Sequence, residues 1–329
     1  MQSGESVTAS RRSALWGARA AAMRGEIGAV ALMAGIAALA QRSGMFYLLF
    51  PELAALAYDI LTRPYGTWAR APGHLIVTPL LAATGGTLIA RHLGYSVVSI
   101  LASVTVSLGL IGILRSPIAP AISAGLLPVT LGLTTWRYPP ALTFGTGLLA
   151  GIALIRSRIR RTAHLVSTER ETDGIDDLLE EAPREFSWLP AYGGLITLLA
   201  MAAVRSGIRF LLFPPLAVIG VEMFAHTRTC PWGRERWKLP IACTLTAAVG
   251  TFCAHVFGAG AVAVGISTAS GIAVLRAMDL HLPPALAVGL LPFVMRTPSI
   301  TFPAAVGAAT TALSGGFGLW RRYGTRFRV

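Results

Sequence analysis

Three carboxylates fall inside apolar stretches of helical length: Glu52, Asp59 and Glu222. A carboxylate at membrane depth costs about 2.5–3.5 kcal/mol on insertion scales, so it ordinarily faces a cavity or a partner. The chemistry this suggests is the binding of a proton or small cation on a coupling site. A structural alternative stands beside it for two of the three. Asp59 and Glu222 could end their helices at the membrane interface and pair one turn on, with Arg63 and His226 respectively at i+4. Glu52 follows Pro51 well inside its stretch, and the matching position later in the chain is the uncharged Pro215.

Two proline-rich junctions form a second set of candidates. The first runs Arg115-Ser116-Pro117-Ile118-Ala119-Pro120-Ala121-Ile122-Ser123, and the second runs His281-Leu282-Pro283-Pro284-Ala285. Proline starts a helix cleanly because the first turn has no use for its missing N–H. The helix start then leaves free amides and the positive end of a dipole, which suit a small anion such as a carboxylate, nitrite or nitrate. Arg115, Ser116, Pro117 and Pro120 would face His281, Pro283 and Pro284 across such a site. The alternative is that the prolines only shape transmembrane helices and His281 only caps one. Ser103, Ser107, Ser267 and Ser270 fit close helix packing or a polar pathway. There is no phosphate-binding glycine loop, HExxH, nucleophile elbow or His/Cys cluster, so nothing argues for an enzyme, a resident metal or a cofactor. The three cysteines (Cys230, Cys243, Cys253) have no metal-ligand spacing, and their odd number opposes a disulfide framework.

The elements that must position these residues follow from composition. Of 329 residues 54% are hydrophobic and 13% charged, with a mean hydropathy of +0.63, too apolar for a soluble globular domain. The formal charge of +13 comes almost wholly from arginine and is assigned to loops that fix topology, not to nucleic-acid binding. An Arg-rich start followed by an apolar run from Ile27 resembles a secretory signal or, with lower weight, a transit peptide. Its long basic lead and its recurrence downstream favour a first transmembrane helix instead.

A shift of about 163 residues aligns Leu48-Leu49-Phe50-Pro51 with Leu211-Leu212-Phe213-Pro214. One residue more aligns Gly125-Leu126-Leu127-Pro128 with Gly289-Leu290-Leu291-Pro292. The expectation is an all-α, polytopic bundle of two homologous halves with about 10–12 membrane segments. The boundaries are a basic segment 1–25, a first repeat 26–157, a charged linker 158–187, a second repeat 188–323 and a tail 324–329. Segments are expected near 26–41, 45–62, 73–91, 94–114, 118–134 and 139–155. Their counterparts lie near 189–204, 208–226, 239–257, 259–278, 282–296 and 302–320. The fifth of each half is short and proline-flanked, either a span or a re-entrant element. Six crossings per half leave Arg42, Arg91, Arg137, Arg205, Arg209 and Arg296 opposite the other basic residues. That bias favours parallel repeats, with the N-terminus, linker and C-terminus cytoplasmic and the protein in a plasma (inner) membrane.

Phe213-Pro214-Pro215-Leu216 followed by a small-residue helix, and then His281-Leu282-Pro283-Pro284-Ala285, resemble the two most recognisable blocks of the HPP family of integral membrane proteins. The resemblance covers most of both halves, with Leu282 inserted between the histidine and the prolines and no histidine in the first half. It implies a tandem duplication of a unit that the family carries once. It also implies transport, with nitrite as a substrate of plant and cyanobacterial relatives. The expected function is thus a transporter or channel for a small anion, nitrite among them, through a path between the halves. Its partners would be that anion and the lipid bilayer, with homo-oligomerisation left open. A rival is a non-transporting scaffold or assembly subunit that recruits a partner through the charged linker. A further rival is an exporter of larger lipophilic anions.

Overall fold

The computed structural model describes residues 2–162, 177, 186–227, 229–295 and 297–323. Among them every regular element is helical and there is no strand. The long helices are α1 (Gln2–Ser43), α3 (Pro72–Leu93), α4 (Val97–Leu114), α6 (Tyr138–Thr162), α7 (Leu189–Ser206), α10 (Lys238–Phe257), α11 (Ala261–Ala277) and α13 (Phe302–Tyr323). Six of these contain stretches long and apolar enough to cross a membrane: Ala20–Ser43, Pro72–Leu93, Val97–Leu114, Tyr138–Ile159, Leu189–Ser206 and Lys238–Phe257. Their outward faces carry Val98, Ile113, Leu198 and Phe252, each more than 60% exposed. Apolar side chains on that scale suit a lipid solvent, and the chain is read as a multi-pass membrane protein.

Four elements are too short to cross alone. They are α2 (Glu52–Thr62), α5 (Ala121–Leu131), α8 (Pro214–Ala225) and α12 (Pro284–Leu290), the last continued by a 3-10 turn, Leu291–Phe293. At 1.5 Å per residue the 11 residues of α2 span about 16 Å, half of a ~30 Å hydrocarbon core. The sequence had suggested shortness only for the fifth segments. The second segments are broken too, by 3-10 turns at Phe46–Leu48 and Arg209–Leu212. Proline is the cause. Phe213, ahead of two prolines, is extended at φ −77° and ψ 147°, so a helix can begin only at Pro214. Pro51 likewise caps α2. The first helix, in contrast, starts far upstream of the expected residue 26. A single turn, α9 (Pro231–Arg234), precedes α10.

The packing interlocks the two sequence halves. Helices α3, α4, α5 and α6 pack together, as do α10, α11, α12 and α13. The first two helices of each half then pack on the other half: α1 on α11 and α2 on α12, α7 on α4 and α8 on α5. Close approach inside each cluster depends on glycine. A Cβ at Gly86 would lie 1.9 Å from the Gly125 carbonyl oxygen, and one at Gly250 would lie 1.9 Å from that of Gly289. Helix α4 ends on Arg115 in the left-handed region (φ 47°), with Ser116 N–H donating to the Ile111 carbonyl at 2.9 Å. The end of α11 repeats this with Asp279 (φ 49°) and Leu280 N–H to Leu275 at 3.0 Å. Both closures have the six-to-one bond of a Schellman ending, built on residues other than glycine.

Contacts separate the bundle into two ends. Glu26 pairs with Arg276, Arg156 donates to the Leu61 carbonyl and His74 meets the Leu114 carbonyl at one end. Arg91 over Trp136 and Arg209 over Tyr95 mark the other. We call the first the basic end.

Two outcomes are expected. Gly86→Ala and Gly250→Ala should each destabilise the protein by about 1–3 kcal/mol through overpacking, whereas Gly147→Ala, which meets nothing within 4 Å, should not; thermal melts in detergent check this. Trp136→Cys and Trp237→Cys, at opposite ends and well exposed, should react with a membrane-impermeant maleimide from opposite faces. The native cysteines stay silent because all three are buried, and burial pushes the Cys230 thiol far above its ordinary range.

Candidate functional site

Helix α2 carries the polar residues that need explaining, one at each end. At its C-terminal end Asp59 is fully buried. Its Oδ1 accepts from Arg63 Nη1 at 2.7 Å, the i+4 partner, and lies 3.3 Å from His281 Nε2. The imidazole also stacks at a tilt on Tyr58, ring centres 5.5 Å apart. His281 stands just before α12, so this contact joins residues 222 positions apart. Asp59 Oδ2 is buried without a hydrogen-bond partner among the described residues.

Arg63 extends the cluster toward the surface. Its Nη2 pairs with Asp177 Oδ1 at 2.5 Å, and Thr67 N–H donates to that same oxygen at 3.1 Å. Arg70 Nη2 holds Asp177 Oδ2 at 2.9 Å, and the Thr67 hydroxyl reaches the Asp177 carbonyl at 3.4 Å. The turn from Arg63 to Arg70 thus receives a carboxylate from the segment between the halves. Arg63 is 7% exposed and backed by Asp59, a charge pair whose desolvation is offset only while both partners remain.

At the other end of α2, Glu52 is 1% exposed. Neither carboxyl oxygen has a hydrogen bond of ordinary geometry among the described residues. Ser123 of α5 and Tyr138 at the start of α6 are its polar neighbours. The Tyr138 hydroxyl is itself committed, donating to the Ala124 carbonyl at 2.9 Å. Position helps the carboxyl in one respect: it sits in the first turn of α2, where the helix dipole favours negative charge. Ser103, Ser107 and Ser123 are also buried with partnerless hydroxyls among the described residues. Ser267 donates to the Gly289 carbonyl at 3.1 Å, and Ser270 is half-buried.

The proline junctions have a different geometry from the one expected of an anion site. Arg115 is exposed and closes α4, whereas His281 lies on α2. Ser116 is buried, its Oγ accepting from Thr78 Oγ1 at 2.8 Å and from Ile118 N–H at 3.2 Å. The Pro117 carbonyl accepts the Trp68 indole N–H at 3.0 Å. Pro120 and Pro283 cap α5 and α12, and Pro284 is the first residue of α12. The following amides are already engaged: Ala121 donates to Ile118, Ile122 to Ala119, Ala285 to Leu282 and Leu286 to Pro283, at 3.0–3.1 Å. Tight turns at the prolines take up donors that an anion would otherwise use. Glu222, 4% exposed, ends α8, and its carbonyl accepts the His226 N–H at 3.2 Å.

Of the candidates, the structure brings together Asp59 and His281, with Glu52 at the far end of the same helix. Sequence reasoning missed Thr67, Asp177 and Tyr138, and it read Arg70 only as a basic loop residue and Ser123 only as part of a proline-rich junction. Asp177 lies 107 residues from Arg70 and 114 from Arg63, a separation no local pattern discloses. No protein family, curated protein or solved structure matches this chain.

Removing one partner of the buried Asp59–Arg63 pair leaves the other with its more exposed contact, Asp177 for Arg63 or His281 for Asp59. Asp59→Asn or Arg63→Ala alone should each cost about 3–5 kcal/mol of stability, and the double variant should cost less than their sum. A double-mutant cycle by denaturant or thermal unfolding in detergent measures the coupling. Arg70→Ala, whose side chain is 61% exposed, should cost well under half as much.

Proposed function

We propose that the protein is a membrane transporter that moves a small anion together with a proton, along a path among the short helices α2, α5, α8 and α12. The observation that carries this is Glu52. A buried carboxyl at the broken start of a helix, with no hydrogen bond of ordinary geometry among the described residues, has no structural employment there. Within hydrocarbon, non-helical backbone survives only where protein or a water-filled cavity covers it. Broken helices meeting near the midplane are the usual construction of a solute site in secondary transporters. Here α2 meets α12, α12 meets α8 and α8 meets α5, so both halves contribute. Glu52 would take the proton. The anion would be drawn by the Arg-rich end, where Arg63 and Arg70 already hold a carboxylate.

A duplication of the chain would support the same reading. Gly86 against Gly125 and Gly250 against Gly289 occupy positions one sequence shift apart, as do the left-handed residues Arg115 and Asp279. Two equivalent halves crossing six times each would put both chain ends and the linker in the cytoplasm by the arginine bias. The likeness of the Phe213–Leu216 and His281–Ala285 blocks to the HPP family points toward transport and brings nitrite into the substrate set.

Reconstituted liposomes test the proposal. Saturable uptake of nitrite, nitrate, formate or acetate should acidify the lumen, as read by a trapped pH-sensitive dye. Glu52→Gln should keep the thermal melt and lose at least ten-fold of the coupled acidification. Absence of flux for every one of these anions and chloride, from protein shown to be folded, would overturn transport in favour of a scaffold.

A further inference from the structure

We infer that the turn Arg63–Arg70 is a carboxylate-binding site and that Asp177 is its tethered occupant. The geometry is that of a receptor for a two-oxygen planar anion. One oxygen takes two donors, Arg63 Nη2 and the Thr67 amide, and the other takes Arg70 Nη2. Charge-assisted bonds of this kind are the strong ones, and guanidinium planes are shaped for carboxylates. The site is built in advance. Arg63 is 93% removed from solvent by its exposure of 7% and is aimed outward by Asp59 behind it, while the Thr67 amide is fixed by its place in the turn.

The same neighbours set the ligand class. Asp59 stands fully buried behind Arg63 with Oδ2 unmatched by any described donor, so a second carboxyl group already lies against the guanidinium. Among the described residues the group held by the two guanidiniums and the Thr67 amide is a monoanionic carboxylate, and a monocarboxylate is the ligand class that reproduces it. Exchange with solvent is open, because the Asp177 side chain is 25% exposed and that of Arg70 61%. Asp177 is held on the same chain at an effective concentration in the millimolar range or above, so a free carboxylate must outcompete an intramolecular one. The linker is in this sense a built-in competitor for a site at the basic end of the bundle. The inference concerns binding alone and does not depend on the transport reading.

Acetate, the side chain of aspartate without its backbone, is the probe. Full-length protein in detergent is titrated with sodium acetate against sodium chloride at constant ionic strength, following calorimetric heat and the thermal melt. Asp177→Ala should bind acetate saturably, at least ten-fold more tightly than the native protein. Asp177→Ala combined with Arg70→Ala should return the affinity to the native level or below. Should Asp177→Ala melt early, Asp177→Asn serves in its place, since it keeps the volume and removes the charge. A folded Asp177 variant that binds acetate no better than the native protein would overturn the assignment. So would acetate binding unchanged by the Arg70 substitution, and tighter binding of sulfate than of acetate would overturn the ligand class. Loss of flux in liposomes with acetate binding intact would count against the transport proposal only.

Discussion

Every helix end buried at membrane depth leaves backbone N–H and C=O groups that lipid cannot satisfy, and the architecture is organised around that constraint. Four short helices create such ends, and long helices surround them. The prolines that break the chain also lessen the damage, since a residue without an N–H leaves no donor to satisfy. Tight turns before α5 and α12 absorb further amides, and the indole of Trp68 caps the Pro117 carbonyl. Close helix approach then follows from necessity. Covering short elements on all sides demands glycine at Gly86 and Gly250, where even a methyl group would collide with a neighbouring backbone carbonyl.

The carboxylates divide by the same logic. Asp59 has been given partners: a guanidinium one turn away and an imidazole from the other half. It therefore contributes to joining α2 to the element before α12, and its removal would be felt as lost stability. Glu52 has no hydrogen bond of ordinary geometry among the described residues, only a serine and a tyrosine beside it, the latter with its hydroxyl occupied elsewhere. One helix thus carries a paired carboxylate at its end and, at its start, one with no ordinary hydrogen bond among the described residues.

Much of this was legible in the sequence wherever the determinant is local. Helical class follows from apolar run lengths, and the breaks at Pro51 and Pro214 follow from proline chemistry, although the runs around them read as continuous segments. The i+4 pairing of Asp59 with Arg63 was readable from spacing. The meeting of His281 with Asp59 was not, because it depends on α2 crossing to the other half. Nor were the left-handed closures at Arg115 and Asp279, since neither is a glycine. Arg115 stood out for its charge and its prolines, yet its observed task is to end a helix. The segment around Asp177 reads only as acidic and solvated, and nothing local distinguishes the aspartate that docks from the acids beside it.

The exchange of helices between halves also governs how the chain can be made. Helix α2 leaves the ribosome with its polar end facing a partner, α12, that is still more than 200 residues from being synthesised. At about 5–20 residues per second that interval is on the order of tens of seconds. During it, a short helix with two acidic residues has only α1 and, later, α6 of its final neighbours beside it, and the face that α12 will cover must wait for its partner. Assembly of this protein is accordingly a late event, completed only when the last third of the chain arrives to cover the waiting face of the first.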